Sequence, residues 1–261
     1  NFLVDDATVQ KLVDTAHVSK KNTVLEIGGG TGIVTQKIAQ TGARVIVVEL
    51  HRALVEVLRD KFSSHSHVKI ISSDVLKVDL HGIEFDTVIA SPPYSISDDI
   101  MYALLERGFE KGVFVWQMEF AEKLLAPEGS SEYNALSVLT QYFFEGEIIQ
   151  KISPKAFYPM HQQFSGILFL KHKRVPPIPH HKEFVHFLRT LFRFKNKTFS
   201  NALKKSLQHI DFLSSFEECM RLGEAGKIED EKVFLIPPNT WVKIFRTLTP
   251  GLSEPKIDES Q

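Results

Sequence analysis

The chain has 261 residues, 43% of them apolar and 24% charged, with a formal net charge of −1. That balance suits a globular protein, one large α/β domain or one domain with a small appendage, and its overall charge does not announce nucleic acid. No apolar run approaches the ~20 residues of a membrane helix, and the single Cys219 excludes an intramolecular disulfide and a cysteine-based zinc site. No secretory signal is visible, and the lone cysteine fits a reducing cytosol, so a cytoplasmic location is expected. The chain opens on Asn1 rather than Met, so native residues are expected upstream.

In chain order, Val9, Leu12, Val13 and Ala16 recur at helical spacing behind a cap at Asp5 or Asp6. A short apolar strand, 24–27, runs into Gly28, Gly29, Gly30 and Gly32. Helical spacing then holds to about Gln40, where Gly42 closes the helix. Val45 to Val48 is a β-branched run ending in Glu49. It lacks alternation, as expected of a strand buried on both faces of a parallel sheet. A helix at 52–62 and a strand at 68–71 ending near Asp74 follow. The next strand, 85–90, ends in Ser91-Pro92-Pro93-Tyr94. Asp98 or Asp99 is expected to cap a helix to Glu106, before a strand at 112–116. Helices at 120–125 and 136–144 flank a loop at 127–131, and strands at 147–152 and 167–170 are expected antiparallel at one edge. The alternation implies a doubly wound sheet.

Val175-Pro176-Pro177-Ile178-Pro179 can continue neither a helix nor a central strand. The expected organisation is a catalytic domain over 1–174, a Pro-rich linker at 175–180, a small helical domain over 181–249 and a frayed polar tail at 250–261.

Ligands of doubly wound sheets sit beyond the carboxyl ends of the strands. The residues there are the glycine turn, Glu49, Asp74 and Ser91 to Tyr94. A dinucleotide fingerprint G-x-G-x-x-G needs Gly or Ala at Ile33 or Thr35, and neither is present. Instead Glu26 precedes the turn as E-x-G-x-G-x-G, which resembles motif I of S-adenosylmethionine (SAM) methyltransferases. A turn that serves packing alone is the plainer alternative. Glu49 is placed to accept both ribose hydroxyls of an adenosine, and Asp74 to accept from an adenine amino group. A solvated strand end and a turn-forming cap are their structural alternatives. Two prolines after a buried strand stiffen the loop and remove two N–H donors. Ser91 Oγ and the Pro92 carbonyl are then free to accept the two hydrogens of an exocyclic nucleobase amine, with Tyr94 stacked on the base.

The chain resembles the ribosomal RNA adenine N6,N6-dimethyltransferases, the KsgA and Erm relatives. The resemblance rests on Asn1-Phe2-Leu3, Glu26 to Gly32, Glu49, Asp74, Pro93 to Ser97, Leu136 to Tyr142, Phe157-Tyr158-Pro159 with Ser165, and Phe192 to Thr198. It implies a Rossmann-like α/β methyltransferase sheet with a C-terminal helical domain, SAM as cofactor, ribosomal RNA as substrate, and action in ribosome biogenesis. It also implies that Asn1, Leu3, Glu26, Gly28, Gly30, Glu49, Asp74 and Ser91 bind SAM. Ser91, Pro92 and Tyr94 would hold the target amine, and Phe157 would close on the base's second face. Adenine N6 of small-subunit RNA, probed within a small-subunit particle by a monomer, is the expected target.

Three departures qualify this. Ser-Pro-Pro-Tyr stands where the family usually has Asn-Leu-Pro-Tyr or Asn-Ile-Pro-Tyr, and it resembles the motif of cytosine N4 amino-methyltransferases, so cytosine N4 stays open. His161 and Gln163 replace a Pro and a Val. Lys195 and Asn196 stand where two Arg are usual.

From Lys171 to Lys205 ten cations face one carboxylate, Glu183, with five Phe residues interleaved. Arg189, Arg193, Lys195, Lys197, Lys204 and Lys205 are expected to meet RNA phosphates, and the Phe residues to form core. His180, His181 and His186 are expected at the surface, without a metal. A non-catalytic nucleic-acid-binding protein on the same scaffold and a nicotinamide oxidoreductase are the competing functions.

Overall fold

The computed structural model describes residues 2–213, 215–221 and 223–249. Asn1 and the expected tail at 250–261 lie outside them. The chain packs as two units, Asn1–Glu122 with Phe144–His172, and Lys123–Phe143 with Lys173 onward.

The first unit opens with a two-residue strand β1 (Phe2–Leu3) and helix α1 (Asp6–Ala16). The Asp5 carboxylate caps α1, accepting from the Thr8 backbone N–H at 2.8 Å. Strand β2 (Thr23–Ile27), α2 (Ile33–Gln40), β3 (Arg44–Glu49), α3 (Arg52–Lys61), β4 (Val68–Ser72), β5 (Thr87–Ala90), α4 (Ser97–Arg107) and β6 (Lys111–Gln117) alternate as expected. Helix α5 (Met118–Leu124) follows β6. Two strands, β7 (Phe144–Ile152) and β9 (Ser165–His172), complete the main sheet; β8 (Phe157–Tyr158) lies between them in sequence.

The seven-stranded sheet has the order β4-β3-β2-β5-β6-β9-β7, parallel from β4 to β6 and antiparallel in its last two pairings. Every residue of β2 and β5 is buried, as are Val45, Val47 and Val48 of β3, so the missing alternation in these runs is that of strands covered on both faces. Strand order reverses between β2 and β5, and the crevice outside their carboxyl ends is where such sheets bind ligands.

Three local expectations change. Strand β5 starts at Thr87, not Phe85, because the Asp86 carboxylate turns to accept from Thr23 N–H and the Asn22 amide at 2.7 and 3.0 Å. Asp98 and Asp99 do not cap α4. A 3₁₀ turn at Tyr94–Ile96 leads straight into the helix, Ser97 Oγ donates to the Tyr94 carbonyl, and the two acids sit in the first turn beside the positive end of the helix dipole. Two-residue strands β1 and β8 pair antiparallel, Phe2 with Tyr158 and Leu3 with Phe157, a connection with no periodic signature in the sequence.

The second unit holds α6 (Ala135–Phe143), α7 (His181–Phe192), α8 (Phe199–Ser206), α9 (Phe216–Arg221), α10 (Gly223–Lys227) and α11 (Pro238–Leu248). A boundary at residue 175 alone therefore misplaces 123–143. Tyr133 Oη donates to the Ile236 carbonyl, Gln141 to the Ala126 carbonyl, Tyr142 Oη to the Pro176 carbonyl, and Lys173 Nζ to the Gln141 carbonyl. The expected linker is packed against this unit: Ile178 is buried and Arg246 donates to the Pro177 carbonyl. Phe184, Phe187 and Phe199 are core around Trp241 and Phe245, as expected of them.

Candidate active site

Strand β2 delivers its chain end into the glycine turn. Gly28 and Gly30 have φ of +82° and +56°, the left-handed region that side-chain-bearing residues avoid. A Cβ at Gly30 would lie 3.1 Å from the Phe2 ring, and one at Gly28 would lie 3.6 Å from the Ser91 carbonyl oxygen. Bare backbone at these positions lets the β2 turn lie directly against the loop that leaves β5.

A cavity of about 180 Å³ opens there, and Gly28, Gly30, Glu49, Asp74 and Ser91 all line it. The residues that end β2, β3, β4 and β5 thus share one space, as the sequence predicts. Glu49 is 5% exposed. One carboxylate oxygen accepts from Gly30 N–H at 3.0 Å and the other from His51 N–H at 2.8 Å. Each oxygen keeps a further lone pair for a ligand. Asp74 caps the turn at Val75–Lys77, one oxygen accepting from Leu76 N–H at 3.0 Å, and the residue also forms cavity wall. Apolar sides come from Ile27, Val48, Leu54, Ile96 and Ile100. Phe2 and the His51 backbone belong to the site too, and sequence reasoning assigned them no role.

Glu26 is corrected. It does not line the cavity but sits inside the sheet at 1% exposure. Its two oxygens and the Thr35 hydroxyl form no well-aligned hydrogen bond among the described residues, although Thr35 lies beside the carboxyl. Burial pushes its carboxyl up to about 8, the Thr35 side chain opposes the rise, and the nearby Glu49 adds to it. A folded-state value raised above the ordinary 4.5 means that folding takes up a proton. Stability from this group is full below about 4.5 and is lost as pH rises through about 8. Glu26→Gln is expected to flatten that decline in urea titrations run across the window; an unchanged slope would count against the buried acid.

Leu3 lines a smaller recess with Gly28, Gly30 and Ser91 rather than the main cavity. Asn1 is outside the described residues.

Ser91, Pro92 and Pro93 have a second face. With Tyr94 and Phe157 they line an adjoining pocket of about 50 Å³. Tyr94 Oη and Ser165 Oγ are 2.6 Å apart, and burial raises the Tyr94 phenol above its usual value. Tyr94 does not reach the larger cavity; the proline loop is the shared wall. His161, to which sequence reasoning assigned no role, packs on both rings of this pocket.

In the second unit Arg189, Arg193, Lys197, Lys204 and Lys205 are exposed. Lys195 is half-buried and donates to the Ser131 carbonyl at 2.5 Å. His186 is exposed, while His180 and His181 are half-buried. Among the described residues no three His, Cys, Asp or Glu side chains converge as a metal site, and no helix is long and apolar enough to cross a membrane.

A glycine turn, a strand-end acid that accepts backbone amides and a proline-stiffened wall, set at the switch point of this sheet, define a Rossmann-like SAM-dependent methyltransferase. The family model for ribosomal RNA adenine dimethylase matches residues 1–236, and the chain belongs to that family. A probable ribosomal RNA small subunit methyltransferase A from Methanococcoides burtonii is 40% identical over 78% of this chain and 76% of its own length. A ribosomal RNA small subunit methyltransferase A from Halothermothrix orenii is 35% identical over 94% and 87%. In fold, a dimethyladenosine transferase from Plasmodium falciparum superposes with a TM-score of 0.82 at 22% identity, covering 94% of this chain and 96% of that one. The 23S rRNA methyltransferase ErmE gives 0.66 at 24% identity, covering 95% and 99%. The chain is accordingly a SAM-dependent ribosomal RNA methyltransferase.

Proposed function

We propose that this enzyme dimethylates the exocyclic N6 of an adenine in small-subunit ribosomal RNA, with the residues above in named roles. The observation that carries the reading is the shared wall: Ser91 to Pro93 face the cofactor cavity on one side and the aromatic pocket on the other. In this reading Glu49 receives the ribose hydroxyls and Asp74 the adenine amino group of SAM. Gly28 and Gly30 keep the turn low beneath it, and the apolar sides sandwich its adenine. When bound, SAM supplies an electrophilic methyl group on a sulfonium.

Ser91 Oγ and the Pro92 carbonyl accept the target amine's two hydrogens. That geometry draws the nitrogen lone pair out of conjugation with the ring. The aromatic faces of Tyr94 and Phe157 hold the base flat while water is kept out. No side chain is needed as a base for attack, because the methylated, positively charged nitrogen is itself a strong acid. Ser91 is shorter than the Asn usual in the family, so the base sits nearer the β5 loop. Family membership favours adenine over the cytosine N4 reading that Ser-Pro-Pro-Tyr suggests.

The exposed cations Arg189, Arg193, Lys197, Lys204 and Lys205 bind phosphates in this reading, with Lys195 beside them. The partner is RNA within a small-subunit particle, the enzyme is a monomer, and the setting is cytoplasmic. Replacing Lys197, Lys204 and Lys205 together by Glu is expected to weaken RNA binding. It should also reduce the slope of log affinity against log salt by about one per lost phosphate contact, measured by filter binding. The decisive experiment is nucleoside mass spectrometry of ribosomal RNA from cells with and without the enzyme. Loss of N6,N6-dimethyladenosine supports the assignment, and loss of a methylated cytidine instead transfers it to N4.

A further inference from the structure

The segment 158–164 points its apolar side chains outward: Tyr158, Met160 and Phe164 are 71%, 65% and 48% exposed. His161 turns the other way. Its ring centroid is 4.4 Å from that of Phe157, tilted by 44°, and 5.5 Å from that of Tyr94 in an edge-to-face arrangement. Both ring nitrogens are shut off from solvent and form no well-aligned hydrogen bond among the described residues, although the Gln163 backbone lies beside the ring. Burial holds the imidazole below the usual histidine value, with the Gln163 backbone working the other way.

Three consequences follow from this packing. At 4.4 Å the imidazole covers the aromatic face of Phe157 on which a base would lie. The pocket beside it, lined by Ser91 to Tyr94 and Phe157, measures about 50 Å³, well below the ~300 Å³ and upward typical of a ligand site. Two buried ring nitrogens without a well-aligned partner make the inward position costly, and rotation into solvent hydrates both. An aromatic ring of the right thickness therefore sits in the seat under a standing penalty, and it can be exchanged for another.

Resting on the amino-methyltransferase reading, we propose that His161 is a base-site residue: its imidazole occupies the target base's seat between Tyr94 and Phe157, and the incoming base displaces it into solvent. The apparent affinity for RNA then includes the cost of emptying the seat, and a base that stacks too weakly on Phe157 does not displace the ring.

The test uses the full chain, SAM, and small-subunit particles assembled on a ribosomal RNA transcript made in vitro and so unmethylated. His161→Ala is expected to lower KM for the particles roughly three- to ten-fold, with kcat and SAM affinity within about twofold of the wild type. His161→Phe keeps a ring of similar girth that gains nothing from solvent, and it is expected to raise KM by a similar factor. A fall in kcat at constant KM for the Ala variant would mean that the imidazole acts on the bound base, and it overturns the proposal. Unchanged KM in both active variants overturns it as well. A wild type that transfers no methyl to the particles instead overturns the underlying reading, and the inference with it.

Discussion

Tyr94→Ala is expected to cut methyl transfer to ribosomal RNA by at least about a hundredfold while leaving SAM affinity within about twofold. The separation follows from the two cavities. Tyr94 forms wall only on the aromatic side of the proline loop, whereas the cofactor side is lined by Ser91 to Pro93 and by Ile96. Removing the ring deletes a stacking surface worth about 1–3 kcal/mol per base. It also frees the base to rotate away from Ser91 Oγ and the Pro92 carbonyl, and loss of alignment at a reacting centre costs about a further hundredfold. RNA binding through the second unit's cations is expected to persist. Tyr94→Phe isolates the hydroxyl. It keeps the ring and leaves buried Ser165 Oγ without its partner, a change of about 1 kcal/mol, so only a several-fold loss is expected. Labelled-methyl transfer to small-subunit particles assembled on a transcript, with calorimetry for SAM on the same preparations, reads both effects. Near-wild-type turnover by Tyr94→Ala would remove the aromatic pocket from the mechanism.

Much of the sheet was legible because its central strands are covered on both faces. Val45 to Val48 and Val24 to Ile27 are short runs of that kind, whereas the edge run Val68 to Ile71 is only half-buried and was legible from its β-branched residues; glycines or acids mark the carboxyl ends. Those ends converge by topology, so Gly28, Glu49, Asp74 and Ser91 could be assembled before any coordinates. The same logic, carried further, would have corrected Glu26. A side chain within a strand covered on both faces points into a layer of the core, not beyond the strand's end, and Glu26 is two residues short of the turn. Motif spacing placed it at the ligand site, and strand geometry puts it inside the sheet, out of the cavity.

What stayed illegible depends on contacts between distant segments. The pairing of Phe2–Leu3 with Phe157–Tyr158 involves two residues a side, too few for any periodicity, yet it brings Phe2 to the cavity and Leu3 to the recess beside it. Helix α6 reads as an ordinary apolar helix. Its assignment to the second unit comes from Tyr133, Gln141 and Tyr142 bonding to backbone carbonyls, one of them about a hundred residues away. His161 was visible as a departure from Pro, but a substitution in a resembling segment does not say which way a side chain turns.

The largest binding effect is expected at Glu49. Its carboxylate already holds the Gly30 and His51 amides, so under the proposed role it serves both as ribose acceptor and as keystone of the turn. Charge-assisted hydrogen bonds contribute about 1.5–3 kcal/mol each, so losing two to ribose hydroxyls weakens SAM by a factor on the order of 10² to 10⁴. Glu49→Ala adds a second cost: two backbone N–H groups lose their acceptor in a site that is 5% exposed, at about 1–3 kcal/mol, and a fall in Tm follows. Glu49→Gln tells the two apart. The amide offers one acceptor oxygen to two backbone donors and turns an N–H₂ toward the other, so the turn is disturbed even though side-chain volume is kept. Its SAM affinity is expected to fall about ten- to a hundredfold, with a smaller drop in Tm than in the Ala variant. Calorimetric titration with SAM and with its demethylated product should show equal losses, because both carry the same ribose and the missing bonds are remote from the sulfur. If Glu49→Gln binds both as the wild type does, the carboxylate serves only the fold of the glycine turn, and another group must recognise the ribose.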